Sequence, residues 1–343
     1  MLAVRIVAAG FLLGVGCARA RPPPAPVDAP SSPAPPEVRG TSLEIAEADR
    51  DAEVLGLRAV GPGLSPSGPW LVFYGNAKQL GDLGAVAARH RLLALDADPD
   101  LANFKDDELA ILRRSGQNVL LSYLNFGACE DFRSYARKVP GHRGCRENGK
   151  ARLGPYAGYP DETWMDPADE GWRRLLLEHV APRLFARGVD GLLLDNVELL
   201  EHGPHDPNGP CDDRCRAGGL SLIRAFRERF PSKILVLQNA TGDALRLGTS
   251  DGVRIATLVD GITREEIFAP KPDPQAQAEL EAWAALGLRN DRGVPLWIGT
   301  IDYVGSCTNI SAAKAILERS RSRGWSPYVS DASHGLKILC DWR

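Results

Sequence analysis

Polar and acidic side chains recur in this chain at one kind of place, the end of a short apolar run. Tyr74, Asp96, Tyr123 with Asn125, Asp195 with Asn196, Gln238 with Asn239, Glu265 with Glu266, Asp302 with Tyr303, and Asp331 each stand there. If the runs are strands that share one rim, these carboxyls crowd one another, and crowding raises the cost of ionising them. A barrel serving only as a rigid scaffold would not need so many. The pattern points to chemistry done by side-chain carboxyls, one kept protonated and another kept ionised.

The runs themselves are of strand type: 70–74, 91–95, 118–124, 189–195, 233–238, 257–263, 295–301 and 325–330. Between most of them lie segments of helical length with apolar residues at i, i+3 and i+4, such as DDELAILRRS, LSLIRAFRERF and SAAKAILERSRSR. Alternation of this kind argues for an α/β fold of parallel strands joined by crossover helices. Eight repeats without a dinucleotide fingerprint favour a closed (β/α)8 TIM barrel over an open sheet. The crossover around residues 240–250 is the short one. In such a barrel chemistry sits at the C-terminal ends of the strands, which is where the polar residues fall.

Five segments in order carry a resemblance: TWMDPADEGWRRLL before GVDGLLLDNVE (188–198), QNA (238–240), VDGITREEIF (259–268) and TIDYV (300–304). Over roughly residues 68–331 the chain resembles glycoside hydrolase family 114, whose members are related to endo-α-1,4-polygalactosaminidases. The resemblance implies a (β/α)8 barrel, often exported, acting on galactosamine-containing polysaccharide with no cofactor. Position by position, Asp195 matches the acid of the family's DGV-x-LDN-x-D segment, and Glu265 matches the Glu that follows DG-x-x-x. Glycoside hydrolysis uses such a pair, one carboxyl giving a proton to the leaving oxygen and the other acting as nucleophile or base. The expected order is Asp195 ionised and Glu265 the donor. Tyr74, Asp96, Tyr123, Asn196, Gln238, Asn239, Asp302 and Tyr303 are then the expected substrate-binding residues. Asp190 begins its strand and belongs to the stability face, while Glu266 replaces Glu265 if the register of the sixth strand shifts by one.

The family often has a Gly-Glu-Ala-Glu stretch after the third strand. Here Gly127, Ala128, Cys129 and Glu130 follow, and one carboxylate is lost. The insertion at 126–166 adds Tyr156, Tyr159 and Trp164, aromatics that either line a glycan cleft or pack a small core of their own. Two other readings compete. The loop 201–215 gathers His202, His205, Asp206, Asp212 and Asp213, but its histidines are not on a helix and its two cysteines are better read as a disulfide, so no metal is expected. A catalytically silent barrel that binds a glycan or a partner is the alternative from another class.

Residues 1–17 place one Arg before an apolar run too short to span a bilayer, and end on Gly14, Val15, Gly16 and Cys17. They are expected to be a lipoprotein-type signal with Cys17 acylated, anchoring an exported chain to a membrane without a spanning helix. Residues 18–40, rich in Pro, Ala and Ser, read as a tether, and 41–343 as one catalytic domain, with a short helix expected within 41–60. The remaining six of seven cysteines allow three bridges. Proximity in sequence suggests Cys129 with Cys145, Cys211 with Cys215 and Cys307 with Cys340, although six cysteines allow fifteen pairings. A net charge of −3 with interspersed signs offers no basic face for nucleic acid, and the chain is expected to act as a monomer.

Overall fold

A computed structural model describes Leu64 and residues 68–342. The expected signal, the acylated Cys17, the tether at 18–40 and the helix within 41–60 lie outside the described residues.

Eight parallel strands form one sheet in chain order: β1 (Trp70–Phe73), β2 (Leu92–Leu95), β3 (Val119–Asn125), β4 (Gly191–Asp195), β5 (Ile234–Gln238), β6 (Gly261–Glu265), β7 (Trp297–Val304) and β8 (Ser326–Asp331). Their apolar runs are near-continuous because both faces are covered, one by the barrel interior and one by helices. The edges β1 and β8 come together where Trp70 Nε1 donates to the Ser326 carbonyl at 2.8 Å and the Tyr74 amide donates to the Leu336 carbonyl at 2.8 Å. Trp297 Nε1 also donates to Ser326 Oγ at 3.0 Å, and its ring meets Trp70 edge-on at 5.0 Å, filling the floor of the seam with indole.

The (β/α)8 expectation holds, with two shifts of register. Residues 257–260 belong to the turn that feeds β6, and β6 instead continues to Glu265. Strand β7 starts at Trp297 and runs to Val304. Polar residues at both ends hid these limits, since a strand that finishes in a site carries side chains selected for chemistry and not for apolar periodicity.

The crossover helices are α1 (Leu83–Arg89), α2 (Asp106–Arg113), α3 (Glu170–Arg174, Leu175–Val180 and Ala181–Ala186 in succession), α4 (Asp213–Arg229), α5 (Asp243–Arg246), α6 (Pro274–Ala285) and α7 (Ile310–Arg321). The middle piece of α3 is a widened π turn just ahead of Pro182, which lacks the N–H that a regular turn would use. As expected, α5 is the short crossover. Buried polar clasps hold the lower rim. Arg227 of α4 donates to Asp260 Oδ2 at 2.7 Å and to the Leu258 carbonyl at 2.8 Å, and Asp260 also accepts the Leu235 amide at 2.9 Å. Asp190 does the same work below β4, taking Arg113 Nη2 at 2.7 Å and the Leu120 amide at 2.9 Å.

The insertion after β3 is a small antiparallel sheet of Ala128–Glu130, Glu162–Met165 and Arg152–Pro155, in that order. The three disulfides join the pairs nearest in sequence: Cys129–Cys145 staples this insertion, Cys211–Cys215 closes the loop ahead of α4, and Cys307–Cys340 ties the loop after β7 to the segment after β8.

Candidate active site

The upper ends of the strands open into a cleft of about 570 Å³. Asp195 and Glu265, the last residues of β4 and β6, both line it. So do Tyr74, Asp96, Tyr123, Asn196, Gln238 and Asn239, while the insertion contributes Tyr156, Tyr159 and Glu162. The backbone turns sharply where the strands end: Asn196, Asn239 and Glu266 all have positive φ, of 59°, 62° and 58°. Asn tolerates this region better than most residues because its short amide can bond locally. Gly127 is required by a close approach, since a Cβ there would lie 2.1 Å from the Asn196 carbonyl oxygen.

Donors converge on Glu265. Asn239 Nδ2 donates to Oε2 at 2.6 Å, Gln238 Nε2 reaches the same oxygen at 3.4 Å, and the Tyr303 hydroxyl donates to Oε1. Asn239 Oδ1 also accepts the Glu265 amide at 3.0 Å, so a single side chain fixes both backbone and carboxylate. Tyr74 extends the network, its hydroxyl donating to Gln238 Oε1 at 3.4 Å.

Among the described residues Asp195 has no comparable set of side-chain donors. Burial, followed by the negative charge of Glu265, pushes its carboxyl up to about 8. The free site therefore favours a proton on Asp195. Glu198, three residues on in the turn Val197–Glu201, is raised well above the ordinary carboxyl range by burial and by Asp195. Glu162 is raised to about 7 by burial and by Glu130. Asn125 links the two sides, accepting Asn196 Nδ2 at 3.0 Å and donating to Glu162 Oε2 at 3.1 Å.

Asp96 lines the cleft, but both its oxygens are held by Arg133, at 3.1 and 2.9 Å. Arg133 is buried and also grips Glu130 through Nε at 2.8 Å, while Tyr123 donates to Glu130 Oε1 at 3.4 Å. Asp302 is not among the cleft residues. It is fully buried, accepts the Phe268 and Ala269 amides at 2.6 and 3.0 Å, and shapes the loop after β6. Tyr303 acts on the cleft through Glu265. Glu266 turns aside to His334, whose Nδ1 is 3.3 Å from Oε1 and whose ring stacks on Tyr303. In the 201–215 loop the cysteines are bonded to each other, and the His202 ring meets the Gly209 carbonyl oxygen.

Sequence reasoning did not single out Glu198 or Glu162. For Glu198 there was a signal, the acid that closes the LDN-x-D segment. For Glu162 there was none, because its position follows from the pairing of two insertion strands that no periodicity announces.

Comparison with known proteins finds relatives of this chain and of its fold. An uncharacterized protein of Deinococcus radiodurans is 27% identical over 226 residues, a match that spans 64% of this chain and 66%, just under two thirds, of that protein. The structure of the glycoside hydrolase domain of PelA from Pseudomonas aeruginosa is similar with a TM-score of 0.59 at 19% identity, covering 79% of this chain and 96% of that one. The crystal structure of Aspergillus fumigatus Ega3 in complex with galactosamine is similar with a TM-score of 0.56 at 15% identity, covering 81% and 94%. At these identities the two solved structures speak to the fold. Residues 86–243, from α1 through β4 and β5, match glycoside-hydrolase family GH114. That segment is just under half of the chain, and over it the chain is similar to the glycoside hydrolases of that family.

Proposed function

We propose that the protein is an exported hydrolase of α-1,4-linked galactosamine-containing polysaccharide, with Asp195 and Glu265 as its catalytic carboxyl pair. The observation that carries this reading is the contrast between the two acids. They share one cleft, yet Asp195 is desolvated with few donors and Glu265 is surrounded by them. Environments that differ in this way are how two carboxyls divide the roles of acid and base.

One proton is shared across the pair. While the site is empty it resides on Asp195. A cationic sugar entering beside Asp195 favours the anion there, and the proton passes to Glu265, which gives it to the leaving glycosidic oxygen while Asp195 faces the anomeric carbon. The galactosamine in the Ega3 complex and the family's hydrolase character support an amino-sugar substrate. Three disulfides support an oxidising compartment, and no described helix is long and apolar enough to cross a membrane. Anchoring through acylated Cys17 completes the proposal.

The test is release of reducing ends from partly deacetylated α-1,4-galactosamine polymer, beside the Asp195→Asn and Glu265→Gln variants. Loss of several orders of magnitude in both variants is expected. A parent inactive on this and other amino-sugar polymers would leave a glycan-binding barrel.

A further inference from the structure

In a (β/α)8 barrel each strand is followed by a helix that covers its outer face. Here helices follow β1 through β7, but among the described residues none follows β8. Outside the β8–β1 seam, between the C-terminal ends of α1 and α7, the surface sinks into a groove of about 950 Å³. Its lining includes Trp70, Leu317, Pro327, Val329, Leu339 and Trp342, of which Leu317, Leu339 and Trp342 are only partly buried. The segment after β8 lies along one side without filling the groove, Trp342 Nε1 donating to the Val329 carbonyl at 2.9 Å. An apolar trough of this size marks a surface that something covers.

The chain itself arrives there. Gly68 and Pro69, which lead into β1, form part of the wall, and Leu64 just ahead of them is buried in the core. Whatever precedes Leu64 is therefore tethered beside the groove, at a local concentration no free partner matches. That stretch reads TSLEIAEADRDAEVLG (41–56). Thr41 and Glu44 have the spacing of a capping box, Ile45, Ala48, Ala52 and Leu55 recur at intervals of three and four, and Gly56 supplies a stop. A helix of that length is marginal alone in water and needs an apolar surface to pack on. Charge agrees with the pairing. Residues 42–55 set Glu44, Glu47, Asp49, Asp51 and Glu53 against Arg50, while the groove sets Arg89, Lys314 and Arg321 against Glu318 and Asp341.

We propose that residues 42–55 of this chain seat in the groove as the helix that the barrel lacks, supplied ahead of β1 instead of behind β8. The docking also ties the groove to the cleft. The segment after β8 has Leu336 and Lys337 in the cleft wall and Leu339 and Trp342 in the groove, with the Cys307–Cys340 bridge between them. A helix packed on Leu339 and Trp342 braces that wall from outside.

The experiment follows amide hydrogen exchange in the full chain, comparing the parent with an Ala48→Asp, Ala52→Asp double variant and with Glu47→Gln, which lies off the apolar stripe. Exchange about tenfold faster at residues 317–322 and 339–342 in the double variant, with Glu47→Gln matching the parent, is the expected result. Equal exchange in all three proteins overturns the proposal, as does protection of the groove that appears only when a glycan oligomer is added. Carbodiimide coupling in a mixture of heavy- and light-isotope parent chains then identifies the occupant. A link from Lys314 to an acid of residues 42–55 within one chain is expected, and links found only between chains assign the groove to a second copy and overturn the proposal. Should the double variant fail to fold, the coupling decides alone, absence of the link within a chain counting against the docking.

Discussion

Tyr303 on β7 donates its hydroxyl to Oε1 of Glu265 on the neighbouring strand β6. Glu265 is in register with Ile301, so Tyr303, two residues on, stands just beyond it at the rim. Burial and the Glu265 charge hold the Tyr303 phenol well above its ordinary range, so it remains a donor at any working pH. Tyr303→Phe is expected to lower kcat about tenfold to a hundredfold, the scale of one lost donor in a desolvated site, with little change in KM. Steady-state kinetics on the deacetylated polymer checks this.

The Asp195 carboxyl gives a prediction in pH. Its ordinary value is 3.8 and burial with Glu265 raises it to about 8, so between those values the folded protein binds a proton more tightly than the unfolded chain. Stability is then fully present below pH 3.8 and declines as pH rises toward 8. Asp195→Asn removes that decline. Each unit is worth about 1.4 kcal/mol, and with the side chain partly reached by solvent we expect the variant to gain about 2 kcal/mol on its parent between acid and mildly alkaline pH. Urea unfolding of both proteins across that range reads the difference, and parallel curves would count against it.

Arg133 carries three acids at once, Asp96, Asp98 and Glu130. Arg133→Met leaves Asp96 and Glu130 buried without a cation and Asp98 with Arg183 alone, at 3.5 Å, and a loss of about 3–5 kcal/mol is expected. The midpoint of chemical denaturation should fall accordingly. A variant of unchanged stability would mean that the acids find protons or water at little cost.

The Cys307–Cys340 bridge closes a loop of sequence separation 33 and holds the segment that carries His334, Leu336 and Lys337 against the cleft. Replacing both cysteines with Ala is expected to cost about 3–4 kcal/mol on the loop-entropy account. Thermal melts with and without reductant provide the measurement. The reduced parent should approach the variant.

Much of this fold was legible because parallel strands covered on both faces read as plain apolar runs, LLLD and ILVLQ among them. Asp195 and Glu265 could be placed at strand ends for the same reason. What escaped was set by contacts between segments far apart. Asp96 looks like a free rim acid until Arg133, from beyond β3, is folded against it. Asp302 reads as a site residue until the loop after β6 turns its amides inward. Glu162 reaches the cleft through strand pairing with residues more than thirty positions away. The protonation of Asp195 likewise depends on burial, which no spacing records.

The staple between Cys129 and Cys145 holds an insertion that the barrel does not need for closure. The barrel strands pair without it, yet it supplies Tyr156, Tyr159 and Glu162 to the cleft wall. Framework and cleft wall are thus under separate control. Where thiols stay reduced, the barrel could assemble while this wall loosened, so the shape of the cleft would be tied to the chemistry of the surroundings in which the chain matures.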